Sequence, residues 1–180
     1  MEALSIRSAR ADDLDAIMLL EQHGFHAAIC ESRQVMQRRL QHFAYGFLIL
    51  QDDAGHAIGY LCSEVWAGED AHDAAAFTLG HDIVGSHRTD GDHLYISSMT
   101  IHPDHRGGGI GKRFFEQSIA LMRTRLPHLR VSILMLSAEW HGAQRIYQSC
   151  GYLEVMRLSG FFSRIARDDA DAIVMKLSFT

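Results

Sequence analysis

The chain has 180 residues, of which 47% are hydrophobic, and its formal net charge is −5 at pH 7. This length and apolar content suit one domain with its own core, here spanning residues 1–180. The acidic balance and the lack of a basic stripe argue against nucleic acid as a partner. No apolar run reaches the roughly 18 residues that cross a bilayer, so a membrane partner is not expected either.

The three cysteines, Cys30, Cys62 and Cys150, are widely spaced and form no CxxC pair. An odd count without a signal peptide is typical of a reducing compartment, so we expect buried free thiols and a cytoplasmic location. The chain also has 12 histidines, including two pairs spaced three residues apart, His23 with His26 and His102 with His105. Neither pair has a Cys or carboxylate at a recognised ligand spacing. No metal is therefore expected.

The first half of the chain alternates strand and helix patterns. A short strand precedes a helix that opens at Asp12 or Asp13 and stops at Gly24, and a second helix covers residues 31–43. Two β-rich runs within residues 46–66 flank a turn and predict an antiparallel hairpin.

The region between this hairpin and the next strand, residues 67–92, is polar, acidic and punctuated by glycine. It predicts a long loop with one helical turn. Connections of this length often carry specificity, so we expect this loop to help shape a binding site.

The second half of the chain predicts a strand–helix–strand unit followed by a helix and two strands. The predicted strands are 93–101, 130–137, 152–158 and 172–179, and the predicted helices are 109–126 and 140–151. A strand that returns beside its predecessor through a helix forms a parallel pair. The predicted fold class is therefore α/β, with a mixed central β-sheet flanked by helices.

The stretch "HPDHRGGGIGKRFFE", residues 102–116, places four glycines where a predicted strand meets a predicted helix. Such a junction points unpaired N–H groups outward, and the helix dipole adds positive charge, which together favour an anion. Glycines let a large anion approach the backbone. The Walker phosphate loop does not fit, because Arg106 and Arg113 stand where it requires glycine and Ser or Thr. The dinucleotide fingerprint fails at Lys112, where it requires glycine.

Arg106, Gly109 and Gly111 instead form the pattern R-x-x-G-x-G, which resembles the acyl-coenzyme A binding motif of the GNAT superfamily of N-acetyltransferases. A second stretch, "SAEWHGAQRIYQSCGYLEV", is similar to the C-terminal signature of that family. Its matching positions are Ala143, Tyr147, Gly151 and Tyr152. The resemblance covers essentially the whole chain and implies the GNAT acyl-CoA N-acyltransferase fold. It also implies acetyl-CoA as cosubstrate, a primary amine as acceptor, and direct attack in a ternary complex without a metal.

The resemblance also implies roles for individual residues. The pyrophosphate of the coenzyme would bind at Arg106, Gly107, Gly108, Gly109, Ile110, Gly111 and Lys112. Pantetheine would pair with the preceding strand at Met99, Thr100 and Ile101, and the Met99 N–H would polarise the thioester carbonyl. Tyr147 would be the general acid that protonates the departing thiolate.

The general base remains open among Glu64, His93, Glu139 and a relay through water. Trp140 stands where an asparagine that contacts the coenzyme often sits in the family, which puts that contact in doubt.

The acceptor and the reaction have alternatives. Glu69, Asp70 and Asp73 would favour a cationic acceptor electrostatically. The competing functions are an acyltransferase that uses another acyl-CoA and a catalytically inactive acyl-CoA-binding sensor or interaction module. A homodimer is left open.

Overall fold

The computed structural model describes residues 4–69, 71, 73–163 and 170–179. The strands are β1 (Ser5–Ser8), β2 (Phe47–Gln51), β3 (Ala57–Trp66), β4 (His93–Ile101), β5 (Val131–Ser137), β6 (Leu153–Leu158) and β7 (Ala172–Ser178). They form one seven-stranded sheet in the order β1-β2-β3-β4-β5-β7-β6. The β4–β5 pair is parallel and the other neighbouring pairs are antiparallel. The predicted α/β class with a mixed sheet is confirmed.

The helices flank this sheet. They are α1 (Leu14–Gly24), α2 (Arg33–Phe43), α3 (Ile83–Ser86), α4 (Ile110–Arg125) and α5 (His141–Ser149). Asp13 stands at the N-cap position of α1, but its carboxylate does not cap that helix. It accepts the Arg10 N–H at 2.7 Å and pairs with the Arg7 guanidinium at 2.6 Å, so the helix opens at one of the two predicted residues but without a side-chain cap.

The side chains of β2 separate the core into two layers. Leu48 and Leu50 pack with α4 residues such as Phe114, whereas Phe47 and Ile49 pack with residues of α1 and α2. Because successive side chains of a strand point to opposite faces, α4 covers one face of the sheet and α1 and α2 cover the other. The sheet is therefore buried on both faces at its centre, which suits its mostly apolar strands.

The connection predicted as a loop with one helical turn, residues 67–92, contains two helical turns within its described residues 73–92. A 3-10 turn covers Ala74–Phe77, and α3 follows. Phe77 is fully buried against Trp66 and Tyr95, so this connection is fixed to the end of β3.

The cysteines follow the expectation from the sequence only in part. Cys62 is buried, but Cys30 and Cys150 are only half-buried, so the expectation of buried thiols holds for Cys62 alone. Within the described ranges, no helix combines the length and the apolar character needed to cross a membrane.

Candidate active site

The two parallel strands at the centre of the sheet separate along their length. β4 and β5 pair through residues 93–96 and 131–134. Beyond these pairs β4 continues to Ile101 and β5 continues to Ser137 without further pairing between them. The separation opens a gap in the middle of the sheet, at the carboxyl ends of both strands, where ligands bind in open α/β sheets.

An extra residue in β4 lies where this gap begins. Ser98 pairs with Cys62 of β3 and Ile96 pairs with Ser63, so Ser97 has no partner and forms a β-bulge. A bulge of one residue reverses which face the following side chains occupy. The second half of β4 therefore alternates out of phase with the first half.

The reversal decides which β4 side chains face each helical layer. Met99 and Ile101 pack in the layer of α4. The Thr100 side chain lies against Gly24 of α1, so a Cβ added to Gly24 would collide with the Thr100 side chain. Ser98 also faces α1. Gly24 thus allows the end of α1 to sit directly on β4.

The backbone of the same segment faces the gap at alternate residues. The His102 N–H donates to the Ile58 carbonyl of β3 at 2.8 Å. In an antiparallel ladder this places the polar groups of Thr100 toward β3 and those of Met99 and Ile101 toward the gap. The Arg106 Nε accordingly donates to the Ile101 carbonyl at 2.9 Å.

A cleft of about 560 Å³ runs through the gap and is lined from both faces of the sheet. Its lining from the α4–α5 side includes Arg106, Gly111, Gly142, Ala143, Ile146 and Tyr147. Its lining from the α1–α2 side includes Glu21, Phe25, His26, Ile29, Glu31 and Leu79. Met99, Thr100 and Ile101 form the wall between the two sides, so the predicted strand positions lie in the cleft.

Arg106 and Gly111 line the α4–α5 end of the cleft, and the glycine loop, residues 107–109, lies between them in the chain without lining the cleft itself. Gly107, Gly108 and Gly109 have φ angles of +102°, +55° and +76°, which only glycine adopts readily. A Cβ on Gly107 or Gly108 would meet nothing within 4 Å. Because α4 starts at Ile110 without a side-chain cap, its first N–H groups, including those of Gly111 and Lys112, lack intrahelical acceptors. The loop is thus open and offers backbone donors to an anion.

Tyr147 is the predicted acid, and the structure places it in the cleft. Its ring packs on Phe115 with centroids 4.9 Å apart. Burial raises the pKa of Tyr147 to about 12, so the phenol keeps its proton at neutral pH.

Trp140 also lines the cleft, in the turn between β5 and α5. Its ring lies 5.6 Å from that of Phe25 and 5.8 Å from that of Phe162. We call these three residues the aromatic bridge. The bridge joins the end of α1 to the region that follows β6, so Trp140 contacts aromatic rings of the protein where an asparagine was expected to contact coenzyme.

A buried carboxylate that the sequence analysis missed faces the cleft. Glu21 is 1% exposed, accepts the Glu31 N–H at 2.7 Å and accepts a hydrogen bond from the Tyr60 hydroxyl. The Tyr60 oxygen lies 2.7 Å from the Ser98 hydroxyl. These groups come from α1, β3 and β4, and nothing in the sequence spacing signals their proximity.

The residues proposed as general bases do not line the cleft. Glu64 is buried and accepts hydrogen bonds from Trp66, Ser86 and His81. His93 lies at the opposite end of β4, beside Asp92, and Glu139 is exposed.

The acidic residues expected to select the acceptor do not line the cleft either. Glu69 and Asp73 lie away from it, and the Asp73 carboxylate caps the 3-10 turn by accepting the Ala75 N–H. Asp70 lies outside the described residues. Among the described parts of the chain, no three His, Cys, Asp or Glu side chains are arranged to hold a metal ion.

Comparison with known proteins gives the family of the chain that forms this cleft. The model of the acetyltransferase (GNAT) family matches residues 14–152. The chain therefore belongs to the GNAT acetyltransferase family. No curated protein sequence is a significant match to it.

Solved structures share the fold over nearly the full chain. The GphF GNAT-like decarboxylase in complex with isobutyryl-CoA is 20% identical and has a TM-score of 0.80, with coverage of 97% of this chain and 98% of that one. The ribosomal-protein-S18-alanine N-acetyltransferase from Escherichia coli is 18% identical, with a TM-score of 0.71 and coverage of 99% and 95%. The loading GNATL domain of CurA from Lyngbya majuscula is 13% identical, with a TM-score of 0.81 and coverage of 98% of both. At these identities the likeness shows the fold.

Proposed function

We propose that the protein is an N-acetyltransferase that moves the acetyl group of acetyl-CoA to a primary amine by direct attack in a ternary complex. The observation that carries the proposal is the gap between β4 and β5, with an open glycine loop at one end and the Tyr147 side chain inside it. Family membership and solved neighbours that hold CoA derivatives support an acyl-CoA as the cosubstrate.

The glycine loop and Arg106 would bind the pyrophosphate. Gly107 and Gly108, both with positive φ, leave open space where side chains would otherwise stand. The positive end of α4 adds a favourable field for the phosphates. The pantetheine would then follow the free edge of β4, with its amides paired to Met99 and Ile101.

The reaction needs an oxyanion donor and a proton donor. The Met99 N–H faces the gap and would stabilise the negative charge on the thioester oxygen as the amine attacks. The carbon–nitrogen bond forms and the carbon–sulfur bond breaks, so a thiolate leaves. Tyr147 would protonate that thiolate. Burial raises the pKa of Tyr147 to about 12, so the phenol is protonated at neutral pH, although it is a weaker acid than an exposed tyrosine.

The test is an acceptor screen with purified protein and acetyl-CoA. Release of free thiol would be followed with 2-phenylethylamine, spermidine and a peptide that begins with alanine, and the products would be identified by mass spectrometry. Thiol release that depends on an amine, together with an acetylated product, would support the proposal. Tight binding of acetyl-CoA without any acetylated amine would favour the inactive sensor, and turnover restricted to another acyl-CoA would favour the alternative acyltransferase.

A further inference from the structure

We propose that Glu21 receives the proton of the acceptor amine through the hydroxyl groups of Tyr60 and Ser98. This inference rests on the proposed function, because it assigns the proton acceptor that the transfer reaction needs. Glu21 and Ser98 both line the cleft, and the Tyr60 hydroxyl joins them behind its wall. The three groups thus form a continuous hydrogen-bonded path from the cleft to a buried carboxylate.

The position of Ser98 connects this path to the reacting atoms. Ser98 adjoins Met99, whose N–H faces the gap. The bulge at Ser97 turns the Ser98 side chain toward α1, although the even-numbered residue Ile96 before it faces α4. Without that bulge Ser98 would point to the other face, away from Tyr60 and Glu21. The geometry that opens the cleft therefore also places a hydroxyl beside the expected point of attack.

The surroundings of Glu21 favour a ligand with positive charge. Glu21 has two hydrogen-bond donors but makes no ion pair with any described residue. The titratable and charged groups around it are Cys30, Glu31 and His26 from the α1–α2 connection, Arg39 from α2 and Tyr60 from β3. Arg39 forms its ion pair with Glu31, at 3.0 Å, and acts on Glu21 only through its charge, which lowers the pKa of Glu21. A bound ammonium would supply the missing counter-ion.

The protonation states of the two buried groups suit this role. Burial raises the pKa of Glu21 above its usual value, against the opposing effect of its hydrogen bonds with Tyr60 and the Glu31 N–H. A carboxylate with a raised pKa is a better proton acceptor than an ordinary one. Burial also raises the pKa of Tyr60 well above its usual value, so Tyr60 passes a proton on without becoming an anion.

Every proton of the acceptor ammonium is accounted for in the proposed reaction. The ammonium gives one proton to the Ser98 hydroxyl. At the same time the Ser98 hydroxyl proton passes to Tyr60, and the Tyr60 hydroxyl proton passes to Glu21. The neutral amine then attacks the thioester carbon. A second proton leaves the nitrogen and replaces the one that Tyr147 donates to the thiolate, while the third stays on the amide. Glu21 returns its proton to solvent after the products leave.

The walls beside Glu21 indicate the kind of amine that fits. Phe25, Ile29, Leu79 and Phe162 are apolar, and Glu21 is the carboxylate there that lacks a cationic partner. One ammonium next to an apolar group matches this lining better than several spaced charges. An apolar small amine and a peptide with an apolar first residue share that chemistry, and the acceptor screen separates them.

Glu21→Gln is the variant that tests the proposal. Its kinetics would be measured with whichever of 2-phenylethylamine, spermidine and the alanine-initiated peptide the wild type acetylates fastest. The amide keeps the size of the side chain but takes no proton at neutral pH. We expect kcat to fall by about 10²- to 10⁴-fold, with little change in the KM for acetyl-CoA, and the acidic limb of the pH profile to disappear. Tyr60→Phe should lower kcat as well, because it breaks the path. Glu139→Gln, which changes an exposed carboxylate outside the cleft, is the matched control and should behave as the wild type.

Two further measurements separate this proposal from its alternatives. If Glu21 were only structural, Glu21→Gln would lower the melting temperature, whereas relief of a buried charge should leave it equal or higher at pH 8. Calorimetry on the CoA-bound protein should show about tenfold weaker binding of 2-phenylethylamine, spermidine or the peptide to Glu21→Gln than to the wild type.

An unchanged pH profile and unchanged amine affinity in Glu21→Gln would overturn the role of Glu21, and full activity in Tyr60→Phe would overturn the relay. Absence of any acetylated amine with the wild type would count against the proposed function instead, and amine binding would still decide the role of Glu21.

Discussion

Phe25 and Trp140 contact each other beside the cleft, with ring centroids 5.6 Å apart, although they follow elements on opposite sides of the gap. Phe162 extends the contact on the other side of Trp140. Aromatic pairs of this kind contribute about 0.5–1.5 kcal/mol beyond the burial of their area. The aromatic bridge therefore holds three separate connections together around the expected acceptor site.

Removal of the central ring should loosen the acceptor side of the cleft. We expect Trp140→Ala to raise the acceptor KM by about tenfold or more, since α1 and the region after β6 lose their shared contact. The KM for acetyl-CoA should change little, because the glycine loop is not part of the bridge. Steady-state kinetics with each substrate varied in turn would measure both. Phe161→Ala removes a ring that packs on Phe162 outside the cleft, and it should leave both constants near the wild-type values.

Gly109 should tolerate a β-branched side chain poorly. Its φ of +76° makes Gly109→Val strained by about 1–3 kcal/mol, and the new side chain would stand beside the donors of the loop. We expect the affinity for acetyl-CoA to fall by about tenfold or more while the far-UV circular dichroism stays unchanged. Gly85→Ala in α3, where an added Cβ meets nothing within 4 Å, is the control. Equal calorimetric affinities for wild type and Gly109→Val would rule out a binding role for the loop.

The hydroxyl of Tyr147 should contribute to kcat and not to binding. We expect Tyr147→Phe to lower kcat by about 10- to 100-fold without altering the KM for acetyl-CoA. Since the pKa of Tyr147 is raised to about 12, its titration should produce no descending limb below that pH. Tyr152→Phe is a matched control, because the Tyr152 hydroxyl is buried and lies outside the cleft. Full kcat in Tyr147→Phe, measured where chemistry limits the rate, would leave the proton transfer to water.

The contact of His81 with Glu64 should make stability depend on pH in both directions. Burial alone would lower the pKa of His81, but the hydrogen bond and charge of Glu64 raise it above 6.5. Burial alone would raise the pKa of Glu64, but His81, Ser86 and Trp66 together lower it below 4.5. The stabilisation from His81 is full below pH 6.5 and is lost as the pH rises through its raised pKa. That from Glu64 is full above pH 4.5 and is lost as the pH falls through its lowered pKa.

His81→Gln should therefore destabilise the protein most at about pH 6. We expect the free energy of unfolding to fall there by about 1–3 kcal/mol, because a buried carboxylate loses its charged partner. The difference from the wild type should shrink above the raised pKa of His81. Urea unfolding at several pH values would measure this, and a difference that is constant with pH would show that His81 contributes only packing.

The parts of the site that follow each other in sequence could be predicted, and the parts that meet through strand pairing could not. Met99, Arg106 and Gly111 lie within one strand–loop–helix segment, so a short motif was enough to place them in the cleft. Glu21 is 39 residues from Tyr60, which is 38 residues from Ser98. Their proximity depends on the register of three elements.

The same reason explains the candidates that the structure places elsewhere. Glu64 lies two residues before Trp66, near the end of β3, the strand that pairs with β4. Because successive side chains of a strand point to opposite faces, the Glu64 carboxylate points toward the connection after β3 and accepts hydrogen bonds from Trp66 and Ser86. The bulge at Ser97 reverses the facing of later β4 residues, and a serine in a strand gives no sign of a bulge. Residues 67–92 were expected to shape the cleft through their charges, but among the described residues of that region the one that lines it is the apolar Leu79.

The two ends of the cleft are built from different kinds of chain segment. One end is made by the stretch from β4 into α4 together with α5, whereas the other is assembled from the α1–α2 connection, Leu79, the turn at Trp140 and Phe162. Changes on the second end leave the first end intact, so a library that varies Ile29, Leu79 and Phe162 could redirect the protein to new amines without rebuilding its coenzyme site. The part of the cleft expected to bind the acyl-CoA is thus separate from the part expected to bind the amine. The sequence of the second part could therefore change while the first part stays the same.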